Sequence, residues 1–357
     1  MDPLKKLIVN SCKSVHDRMW FYDRKFIKTI VGNIMEYKTV VLTKLWDTKI
    51  KSADQWNRYY TRHLKDRKWS NLKEKIERSA LKLVWAVDSE IDFISMDTVD
   101  INKNSSKKME WLKKVRDWST WKIWNWFVFH SASIKWIPLF MDREKDPEAK
   151  EEWIKLEIFK KQTLKLLSYF WQWFWILADR WYDDLKKFLL LVENWFNFAI
   201  RLKLNRNIEI ISSNIKALKK WEIVKSWDLE IWEYKVKLNW SDQEFYIFVD
   251  KLKWQDKPIR IISNKNDKTV ILKYLERWEI ERIFKSEKQE FNLEKVWTKD
   301  LQSTENLVYF VQLCMWITSK FHDNIIDIAD NQWIDLRKSS PKKIENKTKN
   351  LKKNFKK

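Results

Sequence analysis

The sequence predicts a mixed α/β fold with a parallel component, preceded by a helical segment. Between residues 91 and 202, short apolar runs typical of strands alternate with helical patterns, in the order strand, strand, strand, helix, strand, helix, strand. Two of these apolar runs end in an aspartate. With 357 residues, 45% of them hydrophobic, the chain is long enough for one large domain and a smaller one.

Residues 1–90 are predicted to be helices with basic faces. One helix covers Phe26 to Tyr37 and another Ala53 to Lys65, with the sequence LWDTKIKS as the turn between them. Two short basic helices around a turn are typical of a helix-turn-helix DNA reader. A helical bundle that caps a catalytic domain fits the same pattern equally well. We therefore expect a helical N-terminal domain, with DNA binding as its role.

The pattern becomes strand-like from Ile91. The segment Ile91–Asp97, IDFISMD, is apolar and ends in an acid. Asn125–Ala132 and Ile134–Met141 predict a hairpin that turns at Lys135-Trp136. Three strands are therefore expected before the first helix of the α/β region.

A helix and two further strands are predicted next. Pro147 opens a helical stretch that continues to about Phe170. Phe174–Asp179, FWILAD, is a buried-type strand that again ends in an acid. Tyr182–Glu193 is a helix, and Phe196–Leu202 is the next strand. Strands separated by helices in this way favour a parallel sheet.

The remainder of the chain divides into four segments. Residues 206–263 consist of short alternating runs and predict an inserted β-rich subdomain. Tyr274–Lys288 and Thr304–Phe321 are expected to be helices. Residues 338–357 are dense in lysine and poor in apolar residues, which predicts a disordered basic tail with non-specific affinity for phosphate.

The composition restricts the class of partner. A net charge of +21 indicates a polyanion, most simply nucleic acid. Two cysteines and four scattered histidines do not form a disulfide framework or a zinc site, and they fit a reducing compartment. No apolar run approaches the roughly 20 residues that span a bilayer, so we expect no membrane partner.

One glycine and 26 tryptophans make this composition unusual. Average usage predicts on the order of 25 glycines for a chain of this length. Trp136 stands at a hairpin-turn position that favours glycine, and Trp195 stands where glycine would stop a helix. We interpret most of the tryptophans as glycines encoded by an opal codon that the host reads as glycine. The alternative is an aromatic-rich surface that stacks on bases.

The helix predicted for Tyr274–Lys288 places a distinctive set of side chains on one face. Tyr274, Arg277, Glu281 and Lys288 fall within an arc of roughly 60° at α-helical spacing. Such a face suits a cleft that holds phosphates and a metal ion. A solvated helix with i,i+4 ion pairs is the other interpretation of this charge density.

Three acids occupy positions that favour chemistry. Asp97 and Asp179 end predicted strands, and Glu281 lies on a helix that follows the last strand. The carboxyl ends of strands line the reactive crevice of open α/β sheets. Carboxylate oxygens suit Mg²⁺, and two such ions can activate an attacking oxygen and stabilise a leaving one. Each acid alone is more simply a strand-end or surface carboxylate.

These motifs resemble those of DDE transposases of the insertion-sequence type. Tyr274, Arg277, Glu281 and Lys288 match the Y-x2-R-x3-E-x6-K signature of that family, and RWEIE matches its RW-x-IE, which makes Trp278 a true tryptophan. The resemblance implies a ribonuclease-H-like mixed sheet with flanking helices and a β-rich insertion. Residues 91–337 would form this catalytic domain.

The other two acids lie in segments that carry the same resemblance. Asp179 lies in ILADRWYDD, which is similar to the family's DRGYD motif if Trp181 is glycine. Asp97 lies in MDTVDINK, which is similar to D-x-x-D-I-x-K. Trp175, in the strand before Asp179, is interpreted as a true tryptophan. The resemblance covers the chain from about Asp92 to Leu313, whereas residues 1–90 match only loosely.

The resemblance also implies a role for each residue. Asp97, Asp179 and Glu281 would bind the metal ions, two Mg²⁺ with Mn²⁺ as a substitute. The contacts to transposon-end phosphates would come from Tyr274, Arg277 and Lys288. Asp100, three residues after Asp97, is an alternative first acid. We prefer Asp97 because it directly ends the apolar run.

The expected function is metal-dependent DNA cleavage and strand transfer at transposon ends. The partners would be double-stranded DNA, both transposon end and target, and a second copy of the chain in a synaptic homodimer. The expected location is the bacterial cytoplasm, at the nucleoid. The alternatives are a related nuclease, an inactive DNA-binding remnant, or a Trp-rich single-strand binder without enzymatic activity.

Overall fold

A computed structural model shows two compact units. One unit combines residues 1–89 with residues 285–357, and the other comprises residues 90–284. The domain division predicted from the sequence, at residues 90 and 337, stays a prediction. The residues that the structure describes are 10, 12–13, 21–45, 52–66, 69–87, 92–102, 113–116, 123–135, 137–144, 151–170, 174–213, 222–238, 241–252, 255–293 and 300–331. The predicted tail at 338–357 and Trp136 therefore lie outside the described residues.

The unit at residues 90–284 is built on one eleven-stranded mixed sheet. Its strand order is β2-β3-β1-β5-β6-β11-β10-β9-β7-β8, and β4 pairs with β3. The large mixed sheet confirms the predicted α/β class. The strands are β1 Phe93–Asn102, β2 Lys113–Arg116, β3 Ile123–Ile134, β4 Ile137–Arg143, β5 Trp175–Ala178, β6 Asn197–Arg201, β7 Asn207–Ser213, β8 Ile223–Lys225, β9 Glu233–Lys237, β10 Glu244–Asp250 and β11 Ile259–Ser263.

Only the centre of the sheet is parallel. β5 runs parallel to β1 on one side and to β6 on the other, whereas the hairpin of β3 and β4 and the strands from β7 to β11 pair antiparallel. The parallel pairing of β1 with β5 ends at Met96 and Ala178. The prediction that Asp97 ends its strand was wrong, because antiparallel pairing with β3 extends β1 to Asn102.

The predicted β-rich insertion does not form a separate sheet. β11 pairs antiparallel with β6, and β10, β9, β7 and β8 continue the sheet outward from it. The alternating pattern that distinguished residues 206–263 in the sequence reflects strands with one covered face, such as β9, in which buried and half-buried side chains alternate.

Four α-helices lie in the described part of this unit: α4 Glu151–Tyr169, α5 Leu185–Glu193, α6 Val270–Leu275 and α7 Trp278–Lys285. The side chain of Asp184 caps α5 by accepting the N–H of Lys186 at 2.9 Å. Inside, Phe188 of α5 stacks on Phe198 of β6 with ring centroids 5.3 Å apart. α6 packs on β5, β6, β10 and β11 through an apolar cluster that includes Tyr274. This packing holds the start of the signature segment against the parallel strands.

The unit of residues 1–89 and 285–357 is helical in its described part, with α1 Phe21–Tyr37, α2 Ala53–Asp66, α3 Ser70–Val87 and α8 Leu301–Asn331. Phe26 is the centre of its aromatic core: it stacks on Trp69 at 5.6 Å and meets Phe310 edge-on at 5.7 Å. Asn306 of α8 donates to the carbonyl of Leu64 at 2.7 Å. The helix-turn-helix role stays a prediction. No helix in the described part of the chain is long and apolar enough to cross a membrane.

Glu287 is a buried carboxyl group in this unit. It lies in the π-helical turn Ser286–Glu290, and neither of its carboxyl oxygens has a hydrogen-bond partner among the described residues. Burial raises its pKa from 4.5 to about 8, opposed by the charge of Lys288. The group is therefore mainly protonated in the folded protein at neutral pH.

We expect Glu287 to make the folded protein less stable as the pH rises. Between pH 4.5 and about 8 the folded state holds a proton that the unfolded state has lost. The free energy of unfolding should fall by up to about 1.4 kcal/mol per pH unit in that window. Denaturant unfolding at several pH values measures this slope, and Glu287→Gln should flatten it. An unchanged slope in the variant would show that other groups cause the pH dependence.

Candidate active site

Asp97 and Asp179 lie on neighbouring parallel strands at equivalent positions. Met96 is paired in register with Ala178, and each acid is the residue that follows. Asp97 is 8% exposed. Asp179 follows the last residue of β5 and precedes the 3₁₀ turn Arg180–Tyr182, which closes when the N–H of Tyr182 donates to the carbonyl of Asp179 at 2.8 Å. The parallel pairing therefore places these two acids at equivalent positions of neighbouring strands.

Asp100 projects from the opposite face of β1. Successive side chains of a strand alternate between faces, so residues three apart point in opposite directions. The register of β1 on β3 is regular from Ser95 to Asn102, which preserves this alternation between Asp97 and Asp100. The strand geometry thus favours Asp97 as the first acid of the site.

The signature segment is two helices rather than one. α6 ends at Leu275, and the N–H groups of Glu276 and Arg277 donate to carbonyls three residues earlier, at 3.1 Å each. α7 then begins at Trp278. This tightened turn keeps Tyr274, Arg277 and Glu281 near one another, although the predicted continuous helix was wrong.

Arg277 connects the helical segment to β1. Its guanidinium donates from Nη1 to Oδ2 of Asp97 at 2.6 Å and from Nη2 to Oε1 of Glu281 at 2.7 Å. Its Nε donates to the hydroxyl of Tyr274 at 3.2 Å, and that hydroxyl lies 3.5 Å from Oδ1 of Asp179. These contacts link all three predicted acids through one arginine and one tyrosine. Arg277 does form an i,i+4 ion pair with Glu281, but at 4% exposure it is not on a solvated helix face.

Burial and the neighbouring charges set the ionisation of the site. Burial raises the pKa of Asp97 to about 7, against the opposing effects of the Arg277 charge and the N–H of Thr98, which donates to Oδ1 at 2.8 Å. Burial also raises the pKa of Tyr274, to about 12. For Arg277, burial favours the neutral form, but Tyr274 and the carboxylates outweigh it and raise its pKa. Arg277 is therefore the permanent positive charge of the site.

The three acids offer oxygen ligands, which is the donor set that Mg²⁺ prefers. Among the residues that the structure describes, no three carboxylate, histidine or cysteine side chains are grouped closely enough to hold one metal ion. Arg277 separates Asp97 from Glu281 by pairing with both. The side chain of Glu281 is 42% exposed, so it has room to change rotamer. The donor chemistry thus fits a divalent ion once Glu281 leaves Arg277.

Lys288, the fourth residue of the signature, lies in the π-helical turn Ser286–Glu290. The α-helix that carries Glu281 ends at Lys285, before Lys288 is reached. Lys288 therefore does not follow Glu281 at the α-helical spacing that was predicted from the sequence. It also belongs to the unit that contains residues 285–357 rather than to the sheet unit. Its predicted contact with DNA phosphate stays a prediction.

Two buried residues that lie close to Tyr182 were not identified from the sequence. His130 of β3 and Glu144, just after β4, pair at 2.9 Å between Nε2 and Oε1. Tyr182, from the same DRWYDD segment as Asp179, lies 3.5 Å from Nδ1 of His130 through its hydroxyl. His130 and Glu144 lie 14 residues apart, one in β3 and the other just after β4, so no local spacing pattern indicates them.

The chain is similar in sequence to a protein family and in structure to a transposase complex. Residues 157–317 match the sequence family described as "Transposase DDE domain", a span that includes Asp179 and Glu281. The cryo-EM structure of a piggyBac transposase synaptic complex with hairpin DNA resembles the chain with a TM-score of 0.51 at 8% identity, over 96% of this chain and 76% of that one. No curated protein sequence matches the chain. The structural likeness shows the fold, and the family match over residues 157–317 supports a transposase function.

Proposed function

We propose that the chain cleaves DNA at the ends of a mobile element and joins the freed 3′ ends to a target, with Asp97, Asp179 and Glu281 as ligands of divalent metal ions. The observation that carries the proposal is the linkage of these acids by Arg277 and Tyr274 beside the parallel strands. Two unrelated parts of the chain converge there, since Arg277 and Asp97 are 180 residues apart. The parallel β1-β5-β6 core flanked by antiparallel β3 supports a ribonuclease-H-like fold for this unit.

The chain's own residues hold the site in a partly compensated state. Arg277 pairs with both Asp97 and Glu281 before any cation arrives, so its single positive charge offsets part of their negative charge, and the N–H of Thr98 donates to the other oxygen of Asp97. Each carboxylate oxygen keeps a second lone pair for another partner. Mg²⁺, or Mn²⁺ in its place, would polarise the phosphodiester and activate the attacking oxygen when bound.

Arg277 has two connected roles in this proposal. Three of its five N–H donors are engaged with Tyr274, Asp97 and Glu281. The second N–H groups of Nη1 and Nη2 are not used by these three contacts and would be the donors for a DNA phosphate oxygen. A change of the Glu281 rotamer toward a metal ion would add a third such donor. Tyr274 and Lys288 are the other proposed phosphate contacts.

Double-stranded DNA is the proposed partner, and a homodimer is the proposed active assembly. The net charge of +21 supports binding to a polyanion, and the similar piggyBac structure is a synaptic complex with DNA. Cleavage of DNA that carries the element's ends, in the presence of Mg²⁺, tests the proposal directly when wild-type protein is compared with variants of the three acids. Paired inverted repeats beside the gene would identify those ends.

We also propose that most tryptophans of this chain stand in place of glycine. Trp195 supplies the structural support: it follows α5 with φ of 63°, and 73% of it is exposed. Its N–H donates to the carbonyl of Val192 at 3.0 Å, and that of Phe196 donates to Leu191 at 2.9 Å. These bonds define a helix C-terminus whose left-handed residue is usually glycine. Trp175, by contrast, is buried and lies 4.3 Å from Nζ of Lys273, as a true tryptophan would.

Trp195→Gly is expected to raise the free energy of unfolding by about 1 kcal/mol, because glycine adopts positive φ without a steric cost. Thermal or denaturant unfolding measures the change, with Trp175→Gly as the matched control that should destabilise. In the gene, opal codons are expected at most tryptophan positions and ordinary tryptophan codons at Trp175 and Trp278. Ordinary codons throughout, or a less stable Trp195→Gly variant, would contradict the proposal.

A further inference from the structure

A chain of buried polar groups lies directly behind the acids. It runs from the hydroxyl of Tyr182 to Nδ1 of His130 at 3.5 Å, and from Nε2 of His130 to Oε1 of Glu144 at 2.9 Å. The three residues are 1%, 2% and 4% exposed. Burying three polar side chains together is costly unless each is held by a partner, so this chain needs an explanation beyond packing.

The direction of these hydrogen bonds follows from the chemistry of the groups. Burial lowers the pKa of His130, more than its pairing with Glu144 raises it, so the ring is neutral. A carboxylate can only accept hydrogen bonds, so Nε2 carries the ring proton and donates a hydrogen bond to Oε1 of Glu144. Nδ1 is then an acceptor, and the hydroxyl of Tyr182 donates to it. Glu144 thereby determines, through the tautomer of His130, where the Tyr182 proton points.

Tyr182 interacts with the proposed catalytic acids in two ways: a backbone hydrogen bond to Asp179 and an electrostatic interaction with Asp97. It closes the 3₁₀ turn that starts after Asp179, where its N–H donates to the Asp179 carbonyl at 2.8 Å. Burial raises the pKa of Tyr182 most strongly, and the negative charge of Asp97 is the next largest cause. The Lys187 ammonium lies 4.8 Å from the centre of its ring. The Tyr182 ring is therefore buried beside the turn that carries Asp179, in contact with a cation.

We propose that Tyr182, His130 and Glu144 are positioning residues of the metal site. They fix the turn that carries Asp179, because the Tyr182 hydroxyl is tethered to His130 and the Tyr182 N–H closes that turn on the Asp179 carbonyl. This inference rests on the proposed metal-dependent function. Outer partners of this kind orient a ligand for its metal ion.

The inference predicts a specific defect in metal dependence. Tyr182→Phe retains the ring but removes the hydroxyl, so Asp179 loses one of the anchors of its turn. His130→Gln and Glu144→Gln break the same chain at its other two members. Each variant should raise the Mg²⁺ concentration for half-maximal cleavage of end DNA about tenfold, as loss of an outer-shell partner usually does. Saturating Mg²⁺ should restore most of the cleavage rate, and the affinity for end DNA should not change.

Tyr234→Phe is the matched control. Tyr234 is a tyrosine with equally low exposure, 2%, and its hydroxyl donates to the carbonyl of Glu230 at 3.1 Å, in the β7–β11 region. It should lose a similar amount of stability without altering the Mg²⁺ requirement. A thermal melt of every variant separates loss of folding from loss of metal affinity. The double variant Tyr182→Phe/His130→Gln should be no worse than either single variant, because both break one chain.

The outcomes separate this inference from the function on which it rests. If Asp179→Asn, in the same full-chain background, still cleaves end DNA, the proposed function fails. If Asp179→Asn is inactive but Tyr182→Phe needs no more Mg²⁺ than wild-type protein, only the positioning role fails. An equal rise in the Mg²⁺ requirement for Tyr234→Phe, or additive effects in the double variant, would also overturn the positioning role.

Discussion

Asp97→Asn, Asp179→Asn and Glu281→Gln are each expected to reduce Mg²⁺-dependent cleavage of end DNA by more than about 100-fold, while the affinity for end DNA stays nearly unchanged. Each substitution preserves the shape of the side chain but removes the charge that holds a divalent ion. The loss should therefore exceed the roughly 10- to 100-fold loss that is typical of changes to an outer-shell partner. Gel-based cleavage and filter-binding assays on one DNA fragment measure both properties. The background is the full chain with glycine at the opal positions.

Asp100→Asn is the internal control for the first acid. Asp100 lies on the same strand as Asp97 but on the opposite face of β1, so its charge should not matter for metal binding. It should cleave at nearly the wild-type rate. An inactive Asp100→Asn with an active Asp97→Asn would reassign the first acid and leave the mechanism intact. Cleavage by all three acid variants would rule out the enzymatic interpretation.

Arg277→Ala is expected to lower the free energy of unfolding by about 3–5 kcal/mol and to abolish cleavage. The side chain is 4% exposed and is the counter-charge of Asp97, itself 8% exposed. Removal of one partner leaves a buried charge without compensation, which costs more than the pair contributed. Asp97 should respond with a still higher pKa, since Arg277 is the largest influence that lowers it.

Two variants test the origin of this loss. Arg277→Ala/Asp97→Asn should recover part of the stability, because the buried carboxylate that needed Arg277 is gone. Arg78→Ala removes an i,i+4 pair of the same kind, Arg78 with Glu74 at 2.6 Å, but its side chains are 63% and 55% exposed. It should cost less than about 0.5 kcal/mol. Denaturant unfolding that shows equal losses for Arg78→Ala and Arg277→Ala would contradict the burial argument.

The sequence alone was sufficient for the elements that local patterns encode. Apolar runs such as FWILAD and IDFISMD predict strands because a short continuous run of apolar residues fits a strand that is buried on both faces. The transposase function predicted from the signature is confirmed by the family match over residues 157–317. Assignment of Asp97, Asp179 and Glu281 as metal ligands stays a prediction, supported by their positions in the fold.

The tertiary structure decided the features that depend on contacts between distant segments. β1 continues past Asp97 because β3 pairs with it, and the predicted insertion joins the main sheet because β11 pairs with β6. Neither pairing is encoded in the residues of one strand, since register is set by its partner. The same holds for the pairing of Arg277 with Asp97.

The polar chain behind the acids shows this division most clearly. The sequence placed Tyr182 in the same motif as Asp179, but it gave no reason to connect it with His130, 52 residues away. That connection exists because β1 pairs with β3 on one side and with β5 on the other, and the turn that follows β5 carries Tyr182. The sequence by itself thus determined which residues carry charge and where helices and strands form. Folding decided which of those charges meet in a buried site, because burial and hydrogen-bond geometry are properties of the packed chain.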